Sequence, residues 1–444
     1  MNESLTTNVD VAQFIDHQPI GRFQVRLVLL CAAVLFADGF DTQAIGYVAP
    51  ELSRLWSLPR GALGPVFSAG LIGLMIGALI FGPLADRVGR KRIIVASTAV
   101  FGLCTLATAL AHDLTTLTAI RFLTGLGLGG AMPNAVALTA EFSPHRRRAT
   151  LVMLAFCGFS VGAAIGGLIA AALIPSFGWQ SVFLVGGAAP LLLAPYLGAR
   201  LPESIRFLAL ARGASGQVAA LLGHVFPGAR FAPGASFAVH EAPLAGLPVG
   251  HLFIAGRAVA TALLWVVFFM SLLDLYFLSN WLPTVLNDLG ASVSMAALIG
   301  SMLQVGGFIG VLMLGRVMDR FSFGGLAIVY VFAALFIAAI GYSGHSIPLA
   351  TALIFAAGFC IVGAQTAANA LVAHYYPTTM RATGVGWALG IGRAGSIVGP
   401  LVGGALIALR WDSRELFLAS AVPALIGALA SFALIGATRR TAES

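Results

Sequence analysis

Two aspartates, Asp38 and Asp41, lie three residues apart in the run FADGFDTQAIG, which is otherwise almost entirely apolar. Residues three apart share one face of a helix, so the two carboxyls would lie close together. Two carboxyls in one partly desolvated site disfavour double ionisation, so one of them can hold a proton near neutral pH. The spacing therefore favours a carboxyl, Asp41 in preference, that takes up and releases a proton. The alternative is that both acids only pair with Arg121 and lock two helices together.

Two arginines also lie inside apolar runs, Arg121 in RFLTGLGLGG and Arg393 in GWALGIGRAGS. An ionisable group at bilayer depth faces a cavity or a partner and is a functional candidate. The planar guanidinium fork of Arg393 suits an incoming carboxylate, and Arg121 either holds the two acids or meets the same carboxylate. The alternative for Arg393 is a structural ion pair between helices, with Asp274 as its partner.

The composition shows which elements must position these residues. The chain has 444 residues, of which 59% are hydrophobic and 9% charged, whereas a soluble domain carries roughly 25% charged residues. Apolar stretches of about 20 residues recur, long enough to cross a ~30 Å hydrocarbon core, and they lack the ~10-residue alternation of a membrane β-barrel. The sequence therefore predicts an all-α integral membrane protein.

Hydropathy and helix breakers predict 12 transmembrane helices in two six-helix bundles related by pseudo-two-fold symmetry. The predicted domains are an N-terminal tail (1–26), a first bundle (27–200), a linker (201–256), a second bundle (257–437) and a C-terminal tail (438–444). The spans are predicted near 27–49, 62–83, 93–111, 117–140, 150–173, 180–199, 258–282, 293–314, 325–343, 348–373, 384–409 and 414–436.

The distribution of basic residues predicts the orientation. With the N-terminus placed inside, 19 of the 25 Lys and Arg residues fall on the inner side, 4 fall outside and 2 lie within spans. Inner loops of membrane proteins carry the excess of positive charge, so both termini and the linker are expected in the cytoplasm. The same asymmetry accounts for the net charge of +8 without a nucleic-acid partner.

The two predicted bundles repeat each other at one constant offset. Both halves start on the same side, which indicates a parallel repeat, as in transporters that rock two bundles about a central site. A single shift along the chain superposes GPLADR (82–87) on GRVMDR (315–320), RAT (148–150) on RAT (381–383), and Asp41 on Asp274.

Several motifs resemble those of a known family. GPLADRVGRKR (82–92) resembles the signature loop of the major facilitator superfamily, and GRVMDR resembles its degenerate second copy. The resemblance narrows to the aromatic acid:proton symporter family through further motifs along nearly the whole chain. These motifs are DGFD (38–41), RFLTGLGLGGAMPNA (121–135), LPESIRF (201–207), SNWLP (279–283) and RATGVGWALGIGRAGSIVGP (381–400); Asp274 departs from the family pattern.

The resemblance implies a proton-coupled symporter that imports an aromatic carboxylic acid, such as 4-hydroxybenzoate or a related benzoate, across a bacterial inner membrane by alternating access. The implied partners are the aromatic carboxylate, protons and the lipid bilayer, with no cofactor, no metal ion and no nucleic acid, and the unit is a monomer. Transport of another organic anion, export, and a transporter-like sensor of aromatic acids remain as alternatives. An enzyme is not expected, since no nucleophile–base constellation appears.

An aromatic cargo would need a flat apolar slot and a partner for a ring hydroxyl. Aromatic residues of the predicted central spans could supply the slot, although packing between helices is the alternative for each. Polar residues in apolar runs could bond the hydroxyl, and helix–helix hydrogen bonding is their alternative. The candidates are Phe40, Tyr276, Trp281 and Trp387 for the slot, and Gln304, Gln365 and Asn369 for the hydroxyl. Asp274 is also predicted at the substrate-binding site.

Charged residues at the predicted cytoplasmic helix ends could form a gate that closes in the outward-open state, because ion pairs of this kind are two-state elements. Positive-inside topology alone would account for the arginines, but not for the acids. The gate candidates are Asp86, Arg87, Arg90, Glu141, Arg148, Asp319, Arg320 and Arg381.

Two other patterns are weaker than they look. GLGLGG (125–130) resembles a dinucleotide-binding loop, but it lies within a predicted span and no βαβ unit surrounds it, which disfavours ATP-driven transport. The four cysteines lie in apolar runs without CxxC spacing, which is typical of small packing residues rather than of a disulfide framework or metal site.

Overall fold

The structure, a computed structural model, describes residues 8–210, 215–226, 229, 231–232, 235–238, 249–254, 256–344, 346–376 and 380–443. For residues 8, 251, 319, 381–382 and 439–443 it describes the backbone alone. The elements up to the second bundle are β1 (Asn8–Asp10), α1 (Val11–Asp16), α2 (Arg22–Leu55), α3 (Gly64–Val88), α4 (Arg90–Thr108), α5 (Leu114–Glu141), α6 (His145–Phe177), α7 (Gln180–Arg200), α8 (Ile205–Leu210), α9 (Ser215–Val225), β2 (Ser236–Ala238) and a 3-10 helix (Val249–Phe253).

Five continuous helices follow and form the second bundle. The longest of them changes direction at Ser322, whose φ of 48° and ψ of −130° are not helical, so it makes two membrane-crossing segments, Val293–Met318 and Arg320–Ile340. The helices are α10 (Ala258–Asp288), α11 (Val293–Ile340), α12 (Ile347–Tyr375), α13 (Arg381–Ala408) and α14 (Ser413–Glu443).

The predicted fold class is confirmed. In the described part of the chain, 11 helices or helix segments are long and apolar enough to cross a membrane. The twelfth span is α5, whose 28 residues include Arg121 and Glu141. Six spans precede residue 201 and six follow residue 257.

The internal repeat is visible as repeated helix contacts. Where two helices touch, a glycine of one lies against a backbone carbonyl of the other, so closely that a Cβ atom would overlap it. Small residues permit this approach, which drives helix association where lipid is as apolar as the side chains. The equivalent contacts of the two halves are Gly73 on Phe122 and Gly306 on Phe355; Gly77 on Leu126 and Gly310 on Phe359; Gly125 on Gly70 and Gly358 on Leu303; and Gly162 on Phe36 and Gly395 on Phe269.

We expect a Gly395→Ala variant to lower the thermal unfolding midpoint of the protein in detergent. The new methyl group would overlap the carbonyl oxygen of Phe269, and overpacking costs about 1–3 kcal/mol. Gly386 lies in the same helix, and no described atom comes within 4 Å of a Cβ added there, so Gly386→Ala should keep or raise the midpoint. An equal decrease of the midpoint in both variants would contradict this explanation, because the loss of stability would then not depend on the contact with Phe269.

The two bundles meet at the end of the molecule that lies away from the termini. The Ser68 hydroxyl donates a hydrogen bond of 2.8 Å to the Ile397 carbonyl, and Gly61 lies against the backbone of Gly404. The Phe67 ring contacts the Trp281 ring edge-on, with 5.0 Å between the centroids. Because these contacts involve the far ends of α3, α10 and α13, this end is closed.

The N-terminal segment and the linker form a folded cap on the other end of the first bundle. Strand β1 pairs in parallel with β2, joining Val9 to Phe237, and the ring of Phe14 lies 5.6 Å from that of Phe226. Asp16 accepts a hydrogen bond of 2.6 Å from the backbone N–H of His145 at the start of α6. The predicted tail and linker are therefore packed against each other and against the bundle wherever they are described.

Candidate functional site

Asp41 is the most strongly held acid in the first bundle. Its two carboxylate oxygens accept hydrogen bonds from the Arg121 guanidinium at 3.1 and 2.9 Å, and the Thr105 hydroxyl donates to Oδ1 at 2.6 Å. The Asp41 side chain is 0% exposed and that of Arg121 4%. Removing one partner of a buried ion pair leaves a buried charge uncompensated, at a cost of about 3–5 kcal/mol, so this pair ties α2 to α5 while it lasts.

Asp38 lies one helical turn away and has a different environment. It is also 0% exposed, but among the described residues its carboxyl accepts only from the Thr42 hydroxyl, at 3.1 Å to Oδ1, and Oδ2 has no partner. Its carboxyl interacts electrostatically with Arg393 and with Asp41. Arg121 thus pairs with only one of the two acids, and the second acid faces the other bundle.

Arg393 brings the second bundle to these acids. It lies in the middle of α13, half-buried, with the hydroxyl of Tyr276 within hydrogen-bonding reach. Four charged residues therefore follow one another across the interface between the bundles: Arg121, Asp41, Asp38 and Arg393, which we call the charged row. Its formal charge is balanced, with two cations and two anions.

A small cavity opens beside the charged row, between the two bundles. It measures about 20 Å³, enough for a water molecule and too small for an aromatic ring. Two residues of α10 close it from the side of the second bundle, and the first bundle supplies the rest. The lining residues are Thr42, Ile45, Phe67, Gly70, Leu71, Leu74, Arg121, Gly125, Leu128, Tyr276 and Asn280.

Asp274 is not brought to the charged row. It is two residues from Tyr276, so it points about 200° away around α10, and it interacts electrostatically with Tyr330 of α11. Its side chain is 0% exposed, and neither carboxyl oxygen has a hydrogen-bond partner in the described part of the chain. The ion pair with Arg393 that the sequence left open is therefore not among the ion pairs of the described residues.

The repeat explains why Asp274 has no cationic partner among the described residues. The shift that places Asp274 on Asp41 also places Ile354 on Arg121 and Ala338 on Thr105. The second bundle therefore keeps the acid and lacks both groups that hold it in the first bundle. Burying a carboxylate without a partner is costly, so a neutral residue fits this position better than a charged one.

We expect Asp274→Asn to leave cargo affinity within about two-fold of wild type, a difference of less than ~0.5 kcal/mol, and to keep or raise the thermal unfolding midpoint. The amide has the shape of the acid and removes an ionisable group that no cation compensates. Equilibrium binding and unfolding in detergent would measure both quantities. A ten-fold loss of affinity would instead place Asp274 on the transport route.

The aromatic candidates divide between the interface and the bundle interiors. Tyr276 lines the cavity, whereas the Phe40 ring packs against Gly186 of α7 and Gly166 of α6. Trp281 donates a hydrogen bond of 2.9 Å to the Pro400 carbonyl and contributes to the closed end. Trp387 stacks on Trp265 at 5.8 Å and is 43% exposed. Of the four candidates, only Tyr276 joins the charged row.

The polar candidates lie in the second bundle. Gln304 donates to the Ser279 hydroxyl at 3.4 Å, a contact between α11 and α10 of the kind that joins helices. In α12 the side-chain oxygens of Gln365 and Asn369 are buried, with no hydrogen-bond partner among the residues described. Four residues apart, they share one helix face, so this pair still offers an unsatisfied acceptor surface for a ring hydroxyl.

The gate candidates are only partly joined. Arg90 lies 2.5 Å from Glu141 and 3.3 Å from Asp86, so one arginine serves two acids. Arg148 lines the same cavity as Arg90 and Glu141. Arg87 is exposed, and Arg320 lies 5.3 Å from the Phe321 ring. The side chains of Asp319 and Arg381 lie outside the described part of the structure.

The sequence did not single out three residues that hold these groups. Thr105 holds Asp41, and Glu203 accepts from the backbone N–H of Lys91 at 3.0 Å at the start of α4. Arg206 interacts electrostatically with Glu141. A threonine in an apolar span carries no distinguishing signal, while Glu203 and Arg206 lie in the LPESIRF motif, which marked the family but not its contacts.

Two repeated six-helix bundles, with a charged row across their interface, define a polytopic membrane transporter. The chain belongs to the Major Facilitator Superfamily, whose family model matches residues 31–255 and 264–444. This membership makes it a multi-pass membrane protein and confirms the resemblance seen in its loop motifs.

Within this superfamily, the chain is closely similar in sequence to transporters of aromatic acids. The 4-hydroxybenzoate transporter PcaK of Pseudomonas aeruginosa is 44% identical, covering 95% of this chain and 95% of its own length. The gallate transporter of Pseudomonas putida is also 44% identical, covering 96% and 95%. Among solved structures, a bacterial homologue of the human lysosomal transporter Spinster superposes with a TM-score of 0.73 at 17% identity, covering 95% of this chain and 99% of that one. The last match supports the fold alone.

Proposed function

We propose that the chain imports an aromatic monocarboxylate together with a proton by alternating access. The observation that carries this proposal is the charged row, which joins the two bundles through two acids and two arginines. The names of the relatives supply the cargo class, with 4-hydroxybenzoate and gallate as the first candidates. No cofactor is invoked, since protons serve as the coupling ion.

In this proposal Arg393 is the anchor for the cargo. Its guanidinium fork can bind both oxygens of a carboxylate, and Tyr276 holds it from the side. A bound anion draws Arg393 away from Asp38. The charged row together with the cargo then has a net charge of about −1. A proton that enters the row restores the balance, which makes the binding of cargo and of proton mutually favourable.

Asp41 takes up that proton in the proposed cycle. Protonation releases Arg121, because a neutral carboxyl no longer holds the guanidinium as an ion pair. Asp38, which interacts with both Asp41 and Arg393, transmits the change between the two bundles. The tie between α2 and α5 is then loosened only when both proton and cargo are present.

The direction of the cycle follows from topology. We place both termini in the cytoplasm of a bacterial cell, on the inner membrane, because 19 basic residues lie on that side and 4 on the other. The contacts described above close the periplasmic end, so this arrangement is the one from which cargo is released. Arg90 and Glu141, both in the first bundle, are already paired here, so a cytoplasmic gate in the opposite arrangement would need partners from the second bundle.

Transport in proteoliposomes tests the function. The purified protein should accumulate labelled 4-hydroxybenzoate against its gradient when the outside is acidic, and a protonophore should abolish the accumulation. Binding without accumulation would indicate a sensor, and accumulation only under the reverse pH gradient would indicate an exporter.

We expect accumulation to respond to a pH gradient and not to a membrane potential. One proton and one monoanion carry no net charge, so the ~2.3 kcal/mol per charge that 100 mV supplies cancels, whereas each pH unit supplies ~1.4 kcal/mol. Potassium diffusion potentials set with valinomycin at equal pH would measure this. Accumulation driven by potential alone would require more than one proton per anion.

A further inference from the structure

A second cavity lies under the cap, far from the charged row. It measures about 370 Å³ and is bounded by α1 and α8 of the cap and by the ends of α4, α5 and α6. A cavity of about 150 Å³ already binds benzene, so this one has room for a substituted aromatic molecule.

The charges of this cavity favour an anion. Arg90, Arg148 and Arg206 line it together with a single acid, Glu141. Glu141 forms an ion pair with Arg90 at 2.5 Å and interacts with Arg206, and Asp86 lies 3.3 Å from Arg90, so these five side chains carry one positive charge in excess. The Nε atom of Arg148 is buried and has no hydrogen-bond partner within the described structure, which leaves a desolvated donor facing this space.

The remaining wall is apolar. Ala12 of α1 and Ala137 and Ala140 of α5 line the cavity together with Val11, Ile15 and Ile205. Of these, the three alanines are the more exposed, so they form the apolar surface that a ligand can contact. A ligand that fits both parts has one anionic group and a compact apolar body. An inorganic anion would leave the apolar wall without a contact.

We propose that the cap cavity binds a small aromatic carboxylate as a second, cytoplasmic site, with the carboxylate on Arg148 and the ring against Ala12, Ala137 and Ala140. The choice of an aromatic acid rests on the proposed function. Because Arg90 and Glu141 belong to the same cavity, a bound carboxylate competes with Glu141 for Arg90. Imported cargo that accumulates at this site therefore acts on the gate and slows further import.

The stoichiometry of binding tests this proposal. The full chain, in nanodiscs of phosphatidylcholine, is titrated with labelled 4-hydroxybenzoate in the wild type and in Arg393→Ala, which removes the anchor of the central site. We expect two sites in the wild type and one in Arg393→Ala. The remaining site should weaken at least ten-fold when Arg148→Gln is added, and should be unchanged with Arg147→Gln, since the neighbouring Arg147 is exposed.

A second variant guards against misfolding of Arg148→Gln. Ala137→Phe fills the cavity from α5 without altering a charge, and it should abolish the remaining site in the Arg393→Ala background. Size-exclusion profiles and thermal unfolding report whether each variant is folded.

Four outcomes would overturn the inference. A single site in the wild type, lost in Arg393→Ala, would keep the proposed function and exclude the cap site. A remaining site that Arg148→Gln and Ala137→Phe both leave intact would lie elsewhere. The cavity can also be probed with a fluorescent anionic lipid. If this lipid binds in the cavity, phosphatidylglycerol displaces it and no aromatic acid binds there, the anion is a lipid headgroup. If the wild type binds no aromatic acid at all, the proposed function itself fails.

Discussion

An Asp41→Asn variant is expected to lose proton-driven accumulation of the aromatic acid while it still exchanges external for internal cargo. The amide has the shape of the carboxyl and its oxygen can still accept from Thr105, but like the protonated acid it forms no ion pair with Arg121, and it cannot bind a proton reversibly. Without that step, cargo movement is no longer linked to the pH gradient, so accumulation falls to passive equilibration. Steady-state uptake under an acidic exterior and counterflow from preloaded proteoliposomes measure the two activities.

The matched control for this variant is Asp274→Asn, which changes the equivalent position of the second bundle. It should retain uphill accumulation, because Asp274 lacks a counterpart of Arg121 and does not reach the charged row. Accumulation at the wild-type level in Asp41→Asn would remove Asp41 from the proton role. Loss of exchange as well, in a folded protein, would show that Asp41 is needed for the rocking movement itself.

An Arg393→Lys variant is expected to bind the aromatic acid roughly 10- to 100-fold more weakly than the wild type. Lysine keeps the charge but replaces the planar fork by a single ammonium group, so one of two charge-assisted hydrogen bonds is lost. Such a bond contributes about 1.5–3 kcal/mol, which corresponds to this range of affinity. Equilibrium binding and the apparent affinity in transport would both report it.

Tyr276→Phe is a milder change at the same site and serves as a comparison for Arg393→Lys. It removes only the hydroxyl that lies within reach of Arg393, so the arginine keeps both arms and the loss of affinity should be smaller. An unchanged affinity in Arg393→Lys would contradict the anchor role. A larger loss in Tyr276→Phe than in Arg393→Lys would point instead to direct contact between the tyrosine and the cargo.

The arrangement of spans was predictable because its causes are local or periodic. Apolar length determines each span, and the constant offset that joins GPLADR to GRVMDR reappears as paired contacts such as those of Gly162 and Gly395. The predicted span 117–140 also lies within α5, although Arg121 interrupts its apolar run. The kink at Ser322 falls between the two spans predicted on either side of it.

The contacts of the charged residues were less predictable, because they depend on helix rotation. The sequence indicated that Asp38 and Asp41 share a face, but not that Arg121 takes one of them and Arg393 approaches the other. It also placed Asp274 at the substrate, since hydropathy does not distinguish the inner from the interfacial face of α10. The cap was missed for a different reason. Its strands and short helices have little periodicity, and they are ordered by contacts between segments far apart along the chain, such as Val9 and Phe237.

The two halves share equivalent glycine contacts, but among the described residues only the first half has the Asp41–Arg121 ion pair. This difference suggests that the two halves took on different tasks after gene duplication. The backbone framework was under the same constraint in each copy, whereas the electrostatic machinery needed to exist once. Under the proposed function, the second copy was thereby free to acquire a cargo anchor at Arg393, where the first copy has Ser160. Engineering for new cargo would begin in the second copy, with the Asp41–Arg121 ion pair of the first copy left untouched.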